Sequence, residues 1–198
     1  MATTFHLVRH AAHGLLGWVL TGRMHGVSLN EDGRGQASRL AEYFSTRPIA
    51  AVVSGPLERA KQTAAPIAAA LGLTVTTDAG LDEIDFGEWT GLAFAALQGS
   101  PAWQSWNEFR GTAPTPGGET MLEALARASR SLARLRQVHP ECEVVLVSHQ
   151  DLLKALLLHS LGAPLDLLHR VELAPGSRSV LTVFGDGSAR VDGVNLPP

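Results

Sequence analysis

Short apolar runs alternate along the chain with stretches in which apolar residues recur every three or four positions. The runs predict β-strands at Phe5–Val8, Ile49–Val53, Leu73–Thr77 and Val144–Val147, and the periodic stretches between them predict helices. Such alternation is typical of an α/β fold with helices on both faces of a mostly parallel sheet. We therefore expect a three-layer α/β/α sandwich whose central strand is Val144–Val147, because every residue of that run is apolar.

Several helix ends carry boundary signals. Ser28 and Glu31 have the spacing of a capping box, which predicts that the first helix begins here. Pro56 suits the first turn of the second helix, and Gly72 can end it. Pro66 lies inside that second helix, so we expect it to kink or split the helix.

The second half of the chain begins with a segment of different composition. Residues 99–118 are rich in Gly, Pro and Trp, which predicts an excursion from the sheet. A helix over 122–138, a helix over Leu152–Leu161 and a hairpin of Val180–Phe184 with Ala189–Val194 then complete the pattern. We find no internal repeat, and we expect one domain over residues 1–198, with an excursion or lid at about 92–118.

Composition narrows the possible functions. The chain has 198 residues, 45% of them hydrophobic, and a formal net charge of −3. This charge argues against a broad electrostatic contact with nucleic acid. No apolar run approaches the ~18 residues that a membrane helix needs, so we expect no membrane span and a cytoplasmic protein. Cys142 is the only cysteine, which excludes a disulfide framework and a cysteine-rich metal site.

Charged side chains follow three of the predicted strands. Arg9 and His10 end the first strand, Arg59 lies shortly after the second, and His149 follows the central strand. The carboxyl ends of parallel strands share one edge of the sheet, where α/β proteins bind ligands. Two guanidinium groups and an imidazole can surround a phosphate dianion, and a second histidine then remains as a nucleophile. Residues 81–89 offer several carboxylic acids that could complete the set.

Five segments resemble motifs of the histidine phosphatase superfamily, which has the phosphoglycerate mutase-like fold. Leu7–His10 is similar to its R-H-G signature, Ser54–Ala64 to S-x-x-x-R-A-x-Q-T-A, Leu81–Gly91 to L-x-E-x-x-F-G-x-W-x-G, Pro116–Thr120 to P-G-G-E-S, and Val147–His149 to V-S-H. The segments stand in the family's order and cover nearly the whole chain. Any one of these similarities is weak evidence for the family, but five in the family's order are strong evidence.

The sequence departs from the family pattern around both histidines. Ala11 and Gln150 stand where the family usually has glycine, and Ala12–Gly14 replace polar residues that touch phosphate. Alanine is tolerated at position 11 if its φ is negative, because only a positive φ requires glycine. These departures bear on substrate preference more than on the phosphoryl step.

The resemblance implies a role for each candidate catalytic residue. His10 would attack phosphorus and form a phosphohistidine, which requires a neutral ring whose other nitrogen donates to a fixed acceptor. Arg9, Arg59 and His149 would hold the phosphoryl oxygens. Glu83 would protonate the leaving oxygen and then activate water. The resemblance implies no cofactor.

The residues alone leave two questions open: which carboxylic acid is the proton donor, and whether the histidines bind a metal. Asp82 and Asp85 are the nearest alternatives to Glu83, although the spacing from Leu81 favours Glu83. The spacings His10-x-x-His13 and His149-x-Asp151 occur in hydrolase metal sites. Because arginines lie beside both candidates and would repel a cation, we expect no metal.

Aromatic and polar residues near the nucleophile are candidate substrate contacts. Trp103, Trp106 and Phe109 recur every three residues, so they can share one helical face that packs in the core or forms a lid. Together with Leu15–Trp18 they could form an apolar rim, which would favour an apolar or aromatic leaving group. The candidate substrate contacts are His13, Trp18, Trp103, Glu119, Thr120 and Gln150. Residues 117–120 could equally be a helix start with Thr120 as its cap.

The sequence thus predicts a phosphomonoesterase that hydrolyses a small-molecule phosphate ester without a cofactor. A phosphoglycerate mutase that returns the phosphoryl group to its substrate is an alternative, although the resemblance implies that such mutases carry a longer excursion. A non-catalytic protein that binds phosphorylated ligands is another. A homodimer is left open, because Leu15–Leu20 could form a dimer contact as easily as a lid.

Overall fold

Six strands form one mixed sheet in the computed structural model, which describes residues 2–198. The strands are β1 (Ala2–Arg9), β2 (Ile49–Ser54), β3 (Val75–Thr77), β4 (Glu143–Ser148), β5 (Arg178–Phe184) and β6 (Ala189–Leu196). Their order across the sheet is β3-β2-β4-β1-β5-β6. The first four strands of this order run parallel, and β5 and β6 pair antiparallel at one edge. The predicted α/β fold with a mostly parallel sheet is confirmed.

Helices cover both faces of this sheet. They are α1 (Glu31–Phe44), α2 (Glu58–Leu71), α3 (Phe94–Leu97), α4 (Pro101–Glu108), α5 (Met121–Val138) and α6 (Gln150–Ser160). Successive residues of a strand point to opposite faces, so each central strand feeds two cores. Leu7 and Leu146 join the core with α5 and α6, whereas Val8 and Val147 join the core with α1 and α2. The two cores give the expected three layers.

The central strand is the predicted one. All of Val144–Val147 is buried, as a strand covered on both faces requires. The predicted hairpin also forms, and its turn places Gly187 at a φ of +90°. Only glycine adopts such a backbone conformation readily.

Two helix boundaries differ from the expected ones. The cap of α1 is Asn30 rather than Ser28, because the Asn30 Oδ1 accepts a hydrogen bond from the Gly33 N–H at 2.8 Å. Pro56 precedes α2, which begins at Glu58. Residue propensities allow a helix to begin at any of several neighbouring positions. In α1 the side-chain hydrogen bond of Asn30 selects one of them.

The third strand and the second helix also depart from the prediction. Pro66 lies within α2 without splitting it. The strand β3 begins at Val75 rather than Leu73, because the Leu73 N–H donates to the Ala68 carbonyl at 2.9 Å in the turn that follows α2. The turn after the helix therefore includes Leu73, which an apolar run alone assigns to the strand.

Strand register brings the candidate chemistry to one edge. Arg9 at the end of β1 lies opposite Ser148 at the end of β4, and Ser54 at the end of β2 lies opposite Val147. The residues that follow these strands therefore emerge side by side. Across residues 2–198, every helix is too short or too polar to span a bilayer.

Candidate active site

His10 leaves the end of β1 in the form that an attacking imidazole needs. Its Nδ1 lies 2.9 Å from the Ala11 carbonyl oxygen. A carbonyl can only accept, so Nδ1 carries the proton and Nε2 keeps its lone pair. Burial lowers the pKa of His10 well below its ordinary value, and the charges of Arg59 and Arg9 add to this effect. The ring is therefore neutral near pH 7.

The backbone after His10 is held by two helices. The Ala11 N–H donates to Thr63 Oγ1 in α2, and the Ala12 N–H donates to Gln36 Oε1 in α1, both at 2.9 Å. Gly33 permits this approach, because a Cβ there would lie 2.0 Å from the Ala12 oxygen. The position of the loop after His10 is thus set by contacts with both helices of one layer.

Alanine at position 11 fits this backbone. Within residues 2–198, positive φ values at non-glycine positions are confined to Glu141 and Asn195. Ala11 therefore has the negative φ that the sequence argument required, and its side chain is fully buried. The departure from the family's glycine leaves the nucleophile loop unstrained.

His149 follows β4 and lies beside the nucleophile, with 5.1 Å between the two ring centroids. Both of its ring nitrogens are buried and make no hydrogen bond within the described residues. Burial lowers the pKa of His149 well below its ordinary value, and the charges of His10 and Arg59 act in the same direction. The ring is therefore neutral and has one N–H that can donate to an oxyanion.

Two buried arginines complete this cluster. Arg59 donates to the carbonyls of Gly22 and Met24, at 2.6 and 3.3 Å, and Arg9 donates to the Leu173 carbonyl. The Nε atoms of both arginines are buried without a partner within residues 2–198. Buried donors of this kind are costly unless an acceptor meets them. We call Arg9, His10, Arg59 and His149 the phosphate cage, because its free donors match the oxygens of a phosphoryl group.

Glu83 lines the same cavity as Arg9 and His10. Burial raises the pKa of Glu83 to about 7, and the charge of Asp151 adds to the rise. The alternatives are engaged elsewhere: Asp82 Oδ1 accepts from the Glu83 N–H at 2.8 Å, and Asp85 Oδ1 accepts from the Gly87 N–H at 3.0 Å. Among these three carboxylates, Glu83 alone lines the cavity. The geometry therefore favours Glu83 as the acid.

The loop that carries Glu83 is fixed to the sheet and to α5. Its Leu81 carbonyl accepts from Ser148 Oγ at 2.7 Å. The Glu83 carbonyl accepts from Arg23 Nε at 2.8 Å and from Arg127 Nη2 at 2.9 Å. Gly55 allows this packing, because a Cβ there would lie 2.6 Å from the Leu81 oxygen. Neither of these arginines stands in a local motif, so the sequence pattern does not reveal them.

Three predicted substrate contacts lie elsewhere in the structure. Trp18 is 75% exposed and does not line the cavity. The Glu119 carboxylate pairs with Arg23 at 2.9 Å and with Arg127 at 2.6 Å, so it braces the Glu83 loop. Thr120 caps α5 in a reciprocal capping box. The helix-start interpretation of this turn is therefore the one that the structure supports.

The other three predicted substrate contacts, His13, Trp103 and Gln150, line the cavity. The ring of His13 stacks on that of His10 at 5.3 Å between centroids, and its Nδ1 accepts from the Leu15 N–H. Its Nε2 therefore carries the proton. Burial lowers the pKa of His13 to about 4, with Arg59 and Arg9 contributing, so the ring is a neutral donor.

The aromatic stripe of α4 is divided between core and cavity. Trp106 is fully buried and packs edge-on against Phe86, with 6.0 Å between centroids. Trp103 is half-buried, lines the cavity and packs edge-on against Trp89 at 5.2 Å. Phe109 is 54% exposed. Of the three aromatic residues of this stripe, Trp103 alone lines the cavity.

The cavity has a volume of about 340 Å³ and is lined by both apolar and polar residues. The apolar lining residues include Leu16, Val19, Leu20, Phe86, Phe94 and Trp103. We call a second set of lining residues the polar wall: Asn107, Arg110, Gln150, Asp151, Lys154 and His169. Of the polar wall, only Gln150 was a predicted substrate contact. A lysine among the leucines of α6 was a signal that could have revealed Lys154.

The metal-like spacings do not assemble into a site. Asp151 Oδ2 lies 2.7 Å from Arg110 Nη1, so this carboxylate serves an ion pair. Within residues 2–198, no group of three or more His, Cys, Asp or Glu side chains is placed to hold a metal ion.

Similarity to known proteins is extensive. The glucosyl-3-phosphoglycerate phosphatase of Mycobacterium tuberculosis is 34% identical over 165 residues, which are 77% of this chain and 74% of that protein. Phosphoserine phosphatase 1 of Hydrogenobacter thermophilus is 33% identical over 164 residues, 80% of this chain and 76% of that one. The native structure of a mycobacterial glucosyl-3-phosphoglycerate phosphatase matches with a TM-score of 0.88 and 28% identity, over 99% of this chain and 100% of that one.

The first curated relatives, from Mycobacterium bovis and M. tuberculosis, are 39% identical over 170 residues that make up 84% of this chain. The match spans 46% of their length, so they are about twice as long as the shared region. A family model described as the histidine phosphatase superfamily (branch 1) matches residues 5–196. The expected family is confirmed, and the chain belongs to branch 1 of the histidine phosphatase superfamily.

Proposed function

We propose that this protein hydrolyses a small phosphate monoester through a phosphohistidine formed on His10. The observation that carries the proposal is the state of that ring: neutral, with Nδ1–H donating to the Ala11 carbonyl and Nε2 free. The ring lies beside His149, whose buried nitrogens have no partner within the described residues. A fixed, neutral imidazole among cationic and neutral donors is suited to attack phosphorus.

In the first step, the Nε2 lone pair of His10 forms a bond to phosphorus as the bond to the ester oxygen breaks. Glu83 gives its proton to that leaving oxygen, so the alcohol departs neutral. Arg9, Arg59 and His149 donate hydrogen bonds to the oxygens of the transferring group. Glu83 can supply this proton near neutral pH because burial raises its pKa to about 7.

In the second step, the Glu83 carboxylate accepts a proton from water as the water oxygen bonds to phosphorus. The bond between phosphorus and Nε2 breaks, which releases phosphate and returns His10 and Glu83 to their starting forms. A group with a pKa near the working pH serves well as acid in one step and base in the next.

The relatives favour hydrolysis over transfer to a second substrate. Both named curated relatives are phosphatases at 33–34% identity. The substrates in their names are small phosphate esters. The cavity volume of about 340 Å³ lies at the small end of the range of about 300–1,000 Å³ for ligand pockets, which suits a small molecule.

Hydrolysis of p-nitrophenyl phosphate in the presence of EDTA tests the proposal. We expect wild-type turnover that survives the chelator, and a loss of more than about 1,000-fold in His10→Ala, as for other covalent nucleophiles. His159→Ala is the matched control, because His159 is exposed in the last turn of α6 and does not line the cavity. Wild-type enzyme denatured at alkaline pH, where the phosphorus–nitrogen bond survives, should contain phosphohistidine by mass spectrometry.

Other outcomes would contradict the proposal in different ways. Binding of phosphate esters without turnover would favour a non-catalytic protein. Interconversion of phosphoglycerates would favour a mutase. Activity that is lost only to EDTA would show that a metal, rather than the cage, carries the chemistry.

A further inference from the structure

Lys154 is a buried lysine on the cavity face of α6. Gln150, Asp151 and Lys154 are spaced so that they share one side of the helix, and all three line the cavity. The residues around them in α6 are buried and mostly leucine. Lys154 is only 3% exposed, although lysine is rarely buried without a strong partner.

The charge of Lys154 is poorly matched by the protein. Its Nζ makes no hydrogen bond within residues 2–198, and the one carboxylate within 4 Å is that of Glu172, at 3.7 Å. That distance exceeds the ~2.7–3.2 Å of a hydrogen bond. The Glu172 side chain is 74% exposed, so solvent screens the pair and it contributes little. Burial lowers the pKa of Lys154, whereas Asp151 and Glu172 oppose that shift.

Arg110 is the second cation of the same wall, and its charge is already compensated. Its Nη1 lies 2.7 Å from Asp151 Oδ2, and its Nη2 donates to Asn107 Oδ1 at 2.9 Å. These contacts fix the plane of the guanidinium. Its Nε–H is nevertheless buried without a partner in the described structure. Arg110 therefore offers an oriented donor rather than a free charge.

The three lysine or arginine side chains that line the cavity thus have different roles. Arg9 belongs to the phosphate cage, Arg110 is paired with Asp151, and Lys154 keeps an unbalanced positive charge at the wall. The same cavity also has apolar lining residues, among them Phe94 and Trp103. The cavity as a whole has a site for a phosphoryl group, an apolar surface for a carbon skeleton and a cation for a second anionic group.

We propose that Lys154 binds a carboxylate on the leaving group, so that the substrate is a small phosphate ester of a hydroxy acid. Arg110, which Asp151 and Asn107 orient, adds its free Nε–H as a neighbouring donor. A charge-assisted hydrogen bond is among the stronger polar contacts. As a statement about substrate recognition, this inference rests on the proposed function. The binding subsite itself can be tested by measuring affinity alone.

A matched pair of esters isolates the carboxylate. 3-Phosphoglycerate and glycerol 3-phosphate differ in that one has a carboxylate where the other has a hydroxymethyl group. We expect wild-type kcat/KM to favour 3-phosphoglycerate by about 10- to 100-fold, as for a hydrogen bond to a charged group. In Lys154→Met this ratio should fall to within about 3-fold of unity, mainly through a higher KM for 3-phosphoglycerate.

Two further variants separate recognition from packing. Lys154→Arg keeps the cation and should retain most of the preference. Lys61→Met is the matched control, because Lys61 is the only other lysine of the chain and lies exposed on α2. A wild-type ratio near unity would overturn the inference. So would an equal loss on both esters in Lys154→Met, which would show a structural role.

Binding distinguishes failure of this inference from failure of the proposed function. Calorimetric titration of His10→Ala with each ester measures affinity without turnover. Tighter binding of 3-phosphoglycerate that Lys154→Met removes would support the subsite even if wild type hydrolysed neither ester, in which case the proposed function alone would fail. Equal affinities for the two esters would overturn the subsite, whatever the hydrolysis.

Discussion

The phosphate cage and the polar wall of the cavity are built in different ways. The cage residues lie at or shortly after the ends of β1, β2 and β4, whose register places those ends side by side at one edge of the sheet. The polar wall combines residues at and just after the end of α4 with residues of α6 and of a 3₁₀ turn at Leu165–Arg170, which lie much further along the chain. A sheet edge can hold a group of residues rigidly, whereas a wall assembled from separate segments can differ between related proteins without disturbing the sheet.

His149→Asn is expected to break the cage for every substrate. Removing one preorganised donor to a transferring group costs about 100- to 1,000-fold in kcat. The loss should be the same for 3-phosphoglycerate and glycerol 3-phosphate, because His149 lies at the phosphoryl end, 5.1 Å from the His10 ring. His159→Asn is the control, because His159 is exposed in the last turn of α6, the helix that begins directly after His149. A loss confined to one ester would place His149 in leaving-group recognition instead.

Glu83→Gln is expected to lower kcat/KM for alkyl phosphates by about 100- to 10,000-fold, the usual range for a general acid. The acid must be protonated, and its pKa is about 7. Wild-type kcat/KM should therefore fall as pH rises above about 7, and this limb should be absent in the variant. The pKa of His10 lies well below its ordinary value, so its protonation should produce no acid limb near pH 6.5.

Two measurements check that assignment. p-Nitrophenol leaves without protonation, so its ester should lose far less in the first step of Glu83→Gln than an alkyl ester does. Asp151→Asn removes a negative charge that raises the pKa of Glu83, and should move the alkaline limb to lower pH. An unchanged limb in Glu83→Gln would assign the acid to another group.

Thr120→Ala is expected to have the smallest effect on activity and to leave both the phosphate cage and the polar wall unchanged. The loss of an N-cap should reduce the free energy of unfolding by about 1 kcal/mol. Because Thr120 caps α5 away from the cavity, kcat/KM should stay within about 2-fold for both esters. Urea unfolding and steady-state kinetics measure the two effects. A change in KM without a change in stability would restore the interpretation of Thr120 as a substrate contact.

Much of the cage could be predicted because its signals are local. An apolar run followed at once by Arg9-His10 or by Ser148-His149 identifies a strand and the polar residues at its end. Strand pairing then needs only the rule that parallel strands share their carboxyl edge. Ala11 could be judged in the same way, because its tolerance depends on its own φ.

Other features were decided by contacts between distant segments. Glu119 and Thr120 stand in a turn that resembles a family motif. In the structure Glu119 pairs with Arg23 and Arg127, and Thr120 caps α5. Trp103 and Trp106 are three residues apart on one helix, and only the packing of α4 on the core shows which one faces the cavity.

The sequence by itself determined the alternation of strands and helices, the family and the residues at the strand ends, because each depends on neighbours in the chain or on a short motif. Tertiary structure alone decided the tautomer of His10, the raised pKa of Glu83 and the unbalanced charge of Lys154. These three properties depend on burial and on partners such as Asp151 and Glu172, which no local pattern connects to them. Solvent exclusion and charge act through space, so the assembled fold must fix them.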